Sequence, residues 1–265
     1  MGDNGPWGPT VSVATLLLGD SRFPAGGHAH SGGVEPAVTA GTVTDLESLE
    51  WFLRGRLRTA GLVAAGLAAA ACAGVQRNVA PGESAALVRD DGLLAELDAE
   101  ADARTPAPAQ RAASRRQGRA LLRAARVVWP EAPGLASLVA SVGANAGAAS
   151  ATASAMRAEY RAGPHHAVVL GAAAAAAGCA PAEAARIAAY QAVAGPVSAA
   201  VRLLALDPMR ATGILAGLAG DIDQIAAQGA AYADSPPADL PCASAPALDL
   251  LAETHIRAEV RLFES

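Results

Sequence analysis

The sequence predicts an all-α fold, a single-domain bundle of about eight to ten Ala-rich helices. Hydrophobic residues make up 52% of the 265 residues while aromatic residues make up only 3%, and most of the apolar content is Ala, followed by Leu and Val. Ala and Leu are strong helix formers, and no run of alternating β-branched and aromatic residues predicts a strand. Because each Ala buries little area, the helices must lie close together, or a second copy or a partner must cover further apolar surface.

Caps, glycines and prolines predict where the helices begin and end. Gly19 ends the first helix, and Thr44 with Glu47 forms a capping-box pattern at the start of the third. Several later helices begin at proline, whose missing N–H costs nothing in the first helical turn. In chain order, the predicted helices cover residues 11–18, 34–40, 44–73, 83–101, 108–128, 164–177, 181–206, 208–232 and 248–260.

Two proline-bearing stretches divide the chain further. The pair Gly195 and Pro196 is predicted to break or kink the helix over 181–206, because an interior proline removes a hydrogen bond and clashes with the preceding turn. Residues 233–246 are rich in proline and small residues and predict an exposed linker. The predicted organisation is a flexible lead over residues 1–10, a helical domain over 11–232, and a linker with a C-terminal partner-binding tail over 233–265.

Charge, cysteine spacing and hydropathy exclude several classes of protein. The formal net charge of −5 argues against a nucleic-acid-binding protein, which usually carries a basic face. Three widely spaced cysteines, Cys72, Cys179 and Cys242, are typical of reduced thiols in the cytoplasm. The first residues lack a signal-peptide pattern, and the apolar runs over 62–75 and 167–177 are shorter than the about 20 apolar residues of a membrane span. We therefore expect a cytoplasmic protein that binds neither nucleic acid nor membrane.

The Gly-rich loop between Leu18 and Pro36 is the most unusual stretch of the sequence. It lacks the Lys of a phosphate-binding loop, since the chain contains no Lys, and its glycines have neither dinucleotide-binding nor nucleophile-elbow spacing. His28 and His30 are candidate metal ligands, because imidazole suits nickel and zinc, although a structural or interface role also fits them. A helical metal-dependent enzyme that uses His28, His30 and Asp90 stays open as an alternative function.

The charged residues of two later helices predict solvated surfaces. Asp98 and Asp102, with Asp90, lack the tight spacing of an acidic metal-binding motif, and the few aromatic residues are not enough to line a pocket for a carbocation. The Arg-rich segment over 111–119 is predicted first as a solvated helix face and second as a contact for an acidic partner. No catalytic constellation emerges from the sequence.

Five short motifs, in order along the chain, resemble signatures of the UreF family of urease accessory proteins. The first lies in the Gly-rich loop, two lie in the middle of the chain, and two lie near the C-terminus. The matching residues are Pro24, Gly26, Ser31, Gly33, Val34 and Glu35; Ser114, Gln117, Gly118, Leu121 and Leu122; His166 in GPHHAVVLG; Ser198 to Leu206 in SAAVRLLAL; and the closing RLFES. Two positions depart from the family pattern, since His28 stands where Phe is usual and Pro208 where Gln is common.

The resemblance implies a function without catalysis, as a chaperone-like scaffold in urease maturation. It implies an all-α homodimer that binds the accessory protein UreD, also called UreH, and the GTPase UreG, so that nickel insertion into apo-urease can occur, with no resident cofactor and at most transient nickel. Leu262 and Phe263 are expected to act as apolar anchors that order a mobile tail on binding. The residues to which the resemblance assigns interface roles are Phe23, Pro24, Gly26, Ser31, Gly33, Glu35, His166, Ser198, Arg202, Arg261, Leu262, Phe263 and Ser265.

Overall fold

The structure, a computed structural model, describes residues 13–78, 92–147 and 163–263. Within these ranges it contains eleven α-helices and no strand, which confirms the all-α prediction with one helix more than expected. The helices are α1 (Val13–Gly19), α2 (Val34–Thr39), α3 (Leu46–Asn78), α4 (Leu93–Ala103), α5 (Pro108–Val128), α6 (Pro133–Gly147), α7 (His166–Ala176), α8 (Pro181–Leu204), α9 (Pro208–Gly217), α10 (Ala219–Ala230) and α11 (Pro246–His255).

Helix α3 begins with a capping box that differs from the predicted one. The carboxylate of Asp45 accepts a hydrogen bond from the backbone N–H of Ser48 at 2.8 Å, and the hydroxyl of Ser48 accepts one from the N–H of Asp45 at 3.1 Å. The prediction of Thr44 and Glu47 was therefore wrong by one residue, because Asp45 also caps well and Ser can replace Glu as the reciprocal partner. The helix continues through a π-helical turn at Leu57–Gly61 and ends at Asn78 rather than near residue 73.

The core is built where α3, α7, α8 and α10 pack on one another through small side chains. A Cβ atom on Gly171 of α7 would lie 2.3 Å from the carbonyl oxygen of Ala68 on α3. A Cβ atom on Gly229 of α10 would lie 2.5 Å from the Cβ of Ala65. Glycine at these two positions lets the helix backbones approach closely, which is how an Ala-rich core reaches dense packing.

Helices α3 and α8 are long and apolar enough to cross a membrane by length and composition alone. The most apolar 18-residue window of α3 is 72% buried inside the protein, and the corresponding window of α8 is 50% buried. Nearly all of α7 is buried as well. The apolar runs over 62–75 and 167–177 are therefore buried helices, as the sequence predicted.

Helix α8 does not break at Pro196, contrary to one of the two predicted outcomes. Proline has no N–H, so the carbonyl of Ala192, four residues earlier, loses its helical donor. The Nε of Arg56 on α3 donates a hydrogen bond to this carbonyl at 2.9 Å. The helix therefore continues to Leu204, because a side chain from another helix satisfies the orphaned acceptor.

Other predicted boundaries differ in detail. The helix predicted over 208–232 is divided at the buried Leu218 into α9 and α10. The helix predicted over 83–101 starts among residues that lie outside the described ranges, and its described part is α4. The predicted first helix likewise begins before the described residues, and its described part, α1, runs to Gly19.

The proline-rich segment that follows α10 is held against the body of the protein. Leu240 is buried, and the guanidinium of Arg104 donates hydrogen bonds to the carbonyls of Pro237, Ala238, Leu240 and Pro241 at 3.0 to 3.2 Å. Four acceptors on one planar donor group hold the backbone in place without regular secondary structure. This segment leads directly into α11, so the position of α11 is held as well.

Candidate functional site

The Gly-rich loop packs tightly on the chain's own helices. Gly26, Gly32 and Gly33 have φ of +75°, +61° and +92°, in the left-handed region that favours glycine. A Cβ on Gly32 would lie 2.9 Å from the Cγ of Pro196 and 3.2 Å from the Cζ of Arg56. The loop therefore needs glycine both for its backbone conformation and for its close contact with α3 and α8.

Ser31 and Glu35 lie at the end of this loop and are both buried. The hydroxyl of Ser31 is fully buried and accepts a hydrogen bond from the backbone N–H of Glu35 at 3.3 Å. The side chain of Glu35 reaches the C-terminal tail, which we define as residues 256–263. Its Oε1 accepts the N–H of Leu262 at 2.7 Å, and its Oε2 accepts the N–H of Phe263 at 2.9 Å.

Two further side chains hold the tail at Glu35. The Nε2 of His255 lies 3.3 Å from Glu35 Oε2 and 3.3 Å from the carbonyl oxygen of Phe263. The ring of Phe263 is buried, and the guanidinium of Arg202 lies 5.5 Å from its centroid, as in a cation–π contact. We call this arrangement of Glu35, His255, Arg202 and Phe263 the tail junction. It brings together the first, fourth and fifth of the sequence motifs.

The residues with predicted interface roles differ in how far their side chains are exposed. Phe23 is buried and its ring stacks on Trp129 with centroids 6.3 Å apart. Leu262 is 72% exposed, in contrast to the neighbouring Phe263 at 7%. Pro24, Ser198, Arg202 and Arg261 are exposed, and Ser265 lies outside the described residues. Phe263 is thus docked inside its own chain, while Leu262 faces outward.

The second and third motifs meet at a buried polar cluster. The Nδ1 of His165 lies 2.9 Å from the Oγ of Ser114, its Nε2 lies 2.8 Å from Asp102 Oδ1, and its backbone N–H donates to Asp98 at 2.6 Å. Gly118 lies on α5, and a Cβ at this position would lie 2.0 Å from the carbonyl oxygen of Pro164, so α5 must carry glycine there. The structure therefore places His165 at the centre of this contact, and the predicted interface role of the adjacent His166 stays a prediction.

The same cluster corrects the prediction that the charges of α4 and α5 are solvated. The guanidinium of Arg115 is 1% exposed and forms ion pairs with Asp98 and Asp102. Burial acts to raise the pKa of Asp102, but hydrogen bonds from His165 and Arg115 outweigh it and lower that pKa below its usual value. A spacing pattern on one helix does not reveal this network, because the partners lie on three different segments.

The histidines predicted as metal ligands lie beside a cavity of about 430 Å³ beneath the Gly-rich loop. His28 is exposed, His30 and His166 are half-buried, and all three line the cavity. Burial, with a smaller effect of nearby His30, lowers the pKa of His166 to about 4, so this ring is neutral at pH 7. Among the described residues no three His, Cys, Asp or Glu side chains are grouped to hold a metal ion, and Asp90 lies outside those residues.

The family is shown by comparison with known sequences. The UreF family model matches residues 43–219, which is more than half of the chain. The chain belongs to the UreF family. The urease accessory protein UreF of Mycobacterium sp. strain JLS is 43% identical over 256 residues, which cover 97% of this chain and 100% of that protein.

Two further relatives support the assignment over nearly the whole length. The urease accessory protein UreF of Mycolicibacterium vanbaalenii is 44% identical over 96% of this chain and 99% of its own length. That of Mycobacterium tuberculosis strain H37Rv is 43% identical over 92% and 95%. As a UreF family member the chain is a urease accessory protein and not an enzyme, so the alternative of a metal-dependent enzyme is set aside.

Proposed function

We propose that this UreF family protein is a cytoplasmic scaffold of urease maturation that binds UreD (UreH) and the GTPase UreG as a homodimer. In this role it supports nickel insertion into apo-urease and holds nickel at most transiently. The observation that carries the proposal is the tail junction, in which a buried carboxylate orders the C-terminal tail by two backbone hydrogen bonds. An ordered tail has already lost conformational entropy, so a partner that binds it does not have to supply that cost.

The apolar surface beside the tail junction supports binding to another protein. Leu250 on α11 and Ile256, Val260 and Leu262 on the tail are 71%, 45%, 84% and 72% exposed. Soluble monomers rarely place several large apolar side chains on one short exposed segment, and such segments are typical of protein interfaces. We propose that this surface, which we call the tail face, contacts UreD.

Mass measurement of the mixed proteins tests the scaffold role. The chain is run by size-exclusion chromatography with light scattering, alone and with UreD and UreG from the same organism. We expect a dimer that shifts to a larger stoichiometric complex. A chain that ignores both partners would contradict the proposal.

A truncation tests whether UreD binds the tail rather than the helical body. Removal of residues 257–265 is expected to abolish the complex with UreD while the circular dichroism of the helices is kept. Met209→Ala is the control, since Met209 is 83% exposed on α9 and is not part of the tail face. A truncated protein that still forms the complex would show that UreD does not need the tail beyond Ile256.

A further inference from the structure

Helix α5 carries an excess of positive charge. Its 21 residues include six of the chain's 20 basic residues and no acidic residue, in a chain whose formal net charge is −5. Arg115 points inward to the buried polar cluster, and Arg111 donates to backbone carbonyls at the start of the helix. The other four lie along the outer face, and we call them the arginine stripe: Arg116, Arg119, Arg123 and Arg126.

The arginine stripe runs along one side of α5. Its members are three, four and three residues apart. At about 100° and about 1.5 Å per residue, this spacing keeps them within an arc of about 80° over a length of about 15 Å. Arg119, Arg123 and Arg126 are exposed, and Arg116 is half-buried. Alternate spacings of three and four residues are those by which one helix contacts a second helix lying alongside it.

The helices that pack on α5 bring no carboxylate to the stripe. Helices α6 and α7 contain no acidic residue. Helix α11 does contain acidic residues, but it meets α5 at the opposite end from Arg126, where Glu253 accepts a hydrogen bond from the N–H of Ala109 at 2.8 Å. The first acidic residue after the stripe is Glu131, in the turn beyond α5. The positive charge of the outer face is therefore not balanced by its neighbours.

Two members of the stripe are open to a partner. Among the residues that the structure describes, neither Arg123 nor Arg126 has a carboxylate within ion-pair distance, in contrast to Arg115 on the inner face. Arg116 and Arg119 interact with other groups of the chain, so they add to the positive field but do not carry the argument. Like charges three or four residues apart on a helix repel one another, which a bound negative charge would offset.

We propose that the arginine stripe binds an acidic helix of a partner protein, whose Asp or Glu side chains face the guanidinium groups of Arg123 and Arg126. The two parallel N–H donors of a guanidinium match the two oxygens of a carboxylate. Val127 is 81% exposed and follows Arg126 directly, so it offers the same partner an apolar contact at the end of the stripe.

A protein segment fits this surface better than a nucleic acid or an anionic membrane does. Outside the stripe the chain has a clear excess of acidic residues, which repels a long polyanion. Exposed arginine next to an exposed large apolar side chain is typical of protein interfaces. The stripe lies on α5 and is not part of the tail face, so this inference does not depend on the proposed role in urease maturation.

A designed helical peptide tests the stripe. The probe is a fluorescein-labelled, Ala-rich peptide that carries Glu at alternate spacings of three and four residues, and its reference is the same peptide with Gln in place of Glu. Fluorescence anisotropy is measured with the full chain, with R123Q/R126Q, and with R210Q/R257Q as the matched control. The control removes the same charge from two exposed arginines outside the stripe. Duplex DNA is titrated as a second anionic ligand.

We expect the Glu peptide to bind the unmodified chain and the control equally, and R123Q/R126Q about fivefold more weakly, because two exposed ion pairs are lost. Added salt should weaken the binding, and the Gln peptide should not bind. Equal weakening in both double variants would attribute the binding to net charge and overturn the proposal. Failure of the Glu peptide to bind, or tighter binding of DNA that R123Q/R126Q abolishes, would overturn it as well.

Discussion

The guanidinium of Arg56 takes the place of the backbone N–H that Pro196 lacks. The two residues lie on α3 and α8, and the hydrogen bond from Arg56 joins positions 136 residues apart in sequence. A proline inside a helix normally leaves one carbonyl without a donor. Here a long side chain from a neighbouring helix satisfies that carbonyl, so the helix carries proline without breaking.

The coupling of Arg56 and Pro196 is measurable by a double-mutant cycle. Arg56→Met should destabilise the protein by about 1–3 kcal/mol more in the wild-type background than in P196A, because only the former leaves a buried carbonyl unsatisfied. Urea unfolding of the four proteins gives the coupling energy. Additive effects would mean that water, rather than Arg56, satisfies the Ala192 carbonyl.

Glu35→Gln is expected to release the C-terminal tail. The amide replaces one charged acceptor by a donor, so it can accept from only one of the two tail N–H groups. Trypsin cleavage after Arg257 and Arg261 should then become faster, while the helical content stays unchanged. Glu47→Gln, at an exposed position of α3, is the matched control and should leave the cleavage rate unaltered. Equal cleavage rates in both variants would show that the burial of Phe263, and not Glu35, orders the tail.

The lowered pKa of His166 predicts that the protein is less stable at mildly acidic pH than at neutral pH. Its pKa is about 4 in the folded protein and near 6.5 when unfolded, so the unfolded chain binds more protons between these values. The contribution of neutral His166 to the free energy of unfolding is therefore fully present above pH 6.5. It falls as the pH drops towards 4, by roughly 2 kcal/mol between pH 7 and pH 5. Urea unfolding at both pH values checks this. His166→Asn should flatten the difference, and an unchanged difference would assign it to other groups.

His28 and His30 are predicted to matter only when nickel is scarce. If the pair holds nickel transiently, His28→Ala with His30→Ala should reduce urease activation at limiting nickel, and excess nickel should restore it. Arg22→Ala, in the same loop and with an exposed side chain, is the control. Urease activity is measured in cells that carry each variant. Full activation of the double variant at limiting nickel would leave these histidines a structural role only.

The sequence predicts the local structure of this protein better than its long-range contacts. The all-α class and most helix starts follow from neighbouring residues. The contact of Glu35 with Leu262 spans 227 residues, and no local pattern encodes it. Only the resemblance of both segments to one family pointed to a shared role.

The burial of charged side chains on α4 and α5 was the other feature that the spacing of residues along the sequence did not reveal. Arg115, Asp98 and Asp102 have the periodicity of solvated helix faces, and a pattern on one helix cannot show that a second helix brings the opposite charge. The part that His165 plays in this network was missed for a related reason. Adjacent residues at a helix start point in different directions, and the position of Ser114 on another helix is needed to see that the His165 ring joins the network.

The carboxylate of Glu35 binds the main chain of the tail and not its side chains. Residue 262 can therefore change over evolutionary time without loosening the tail. Each such change would alter the side chain that the tail offers to a partner. Proline is the exception, since at position 262 or 263 it would delete one of the two donors outright. The hydrogen bonds to the tail thus leave position 262 free to acquire new binding specificities while its placement stays fixed.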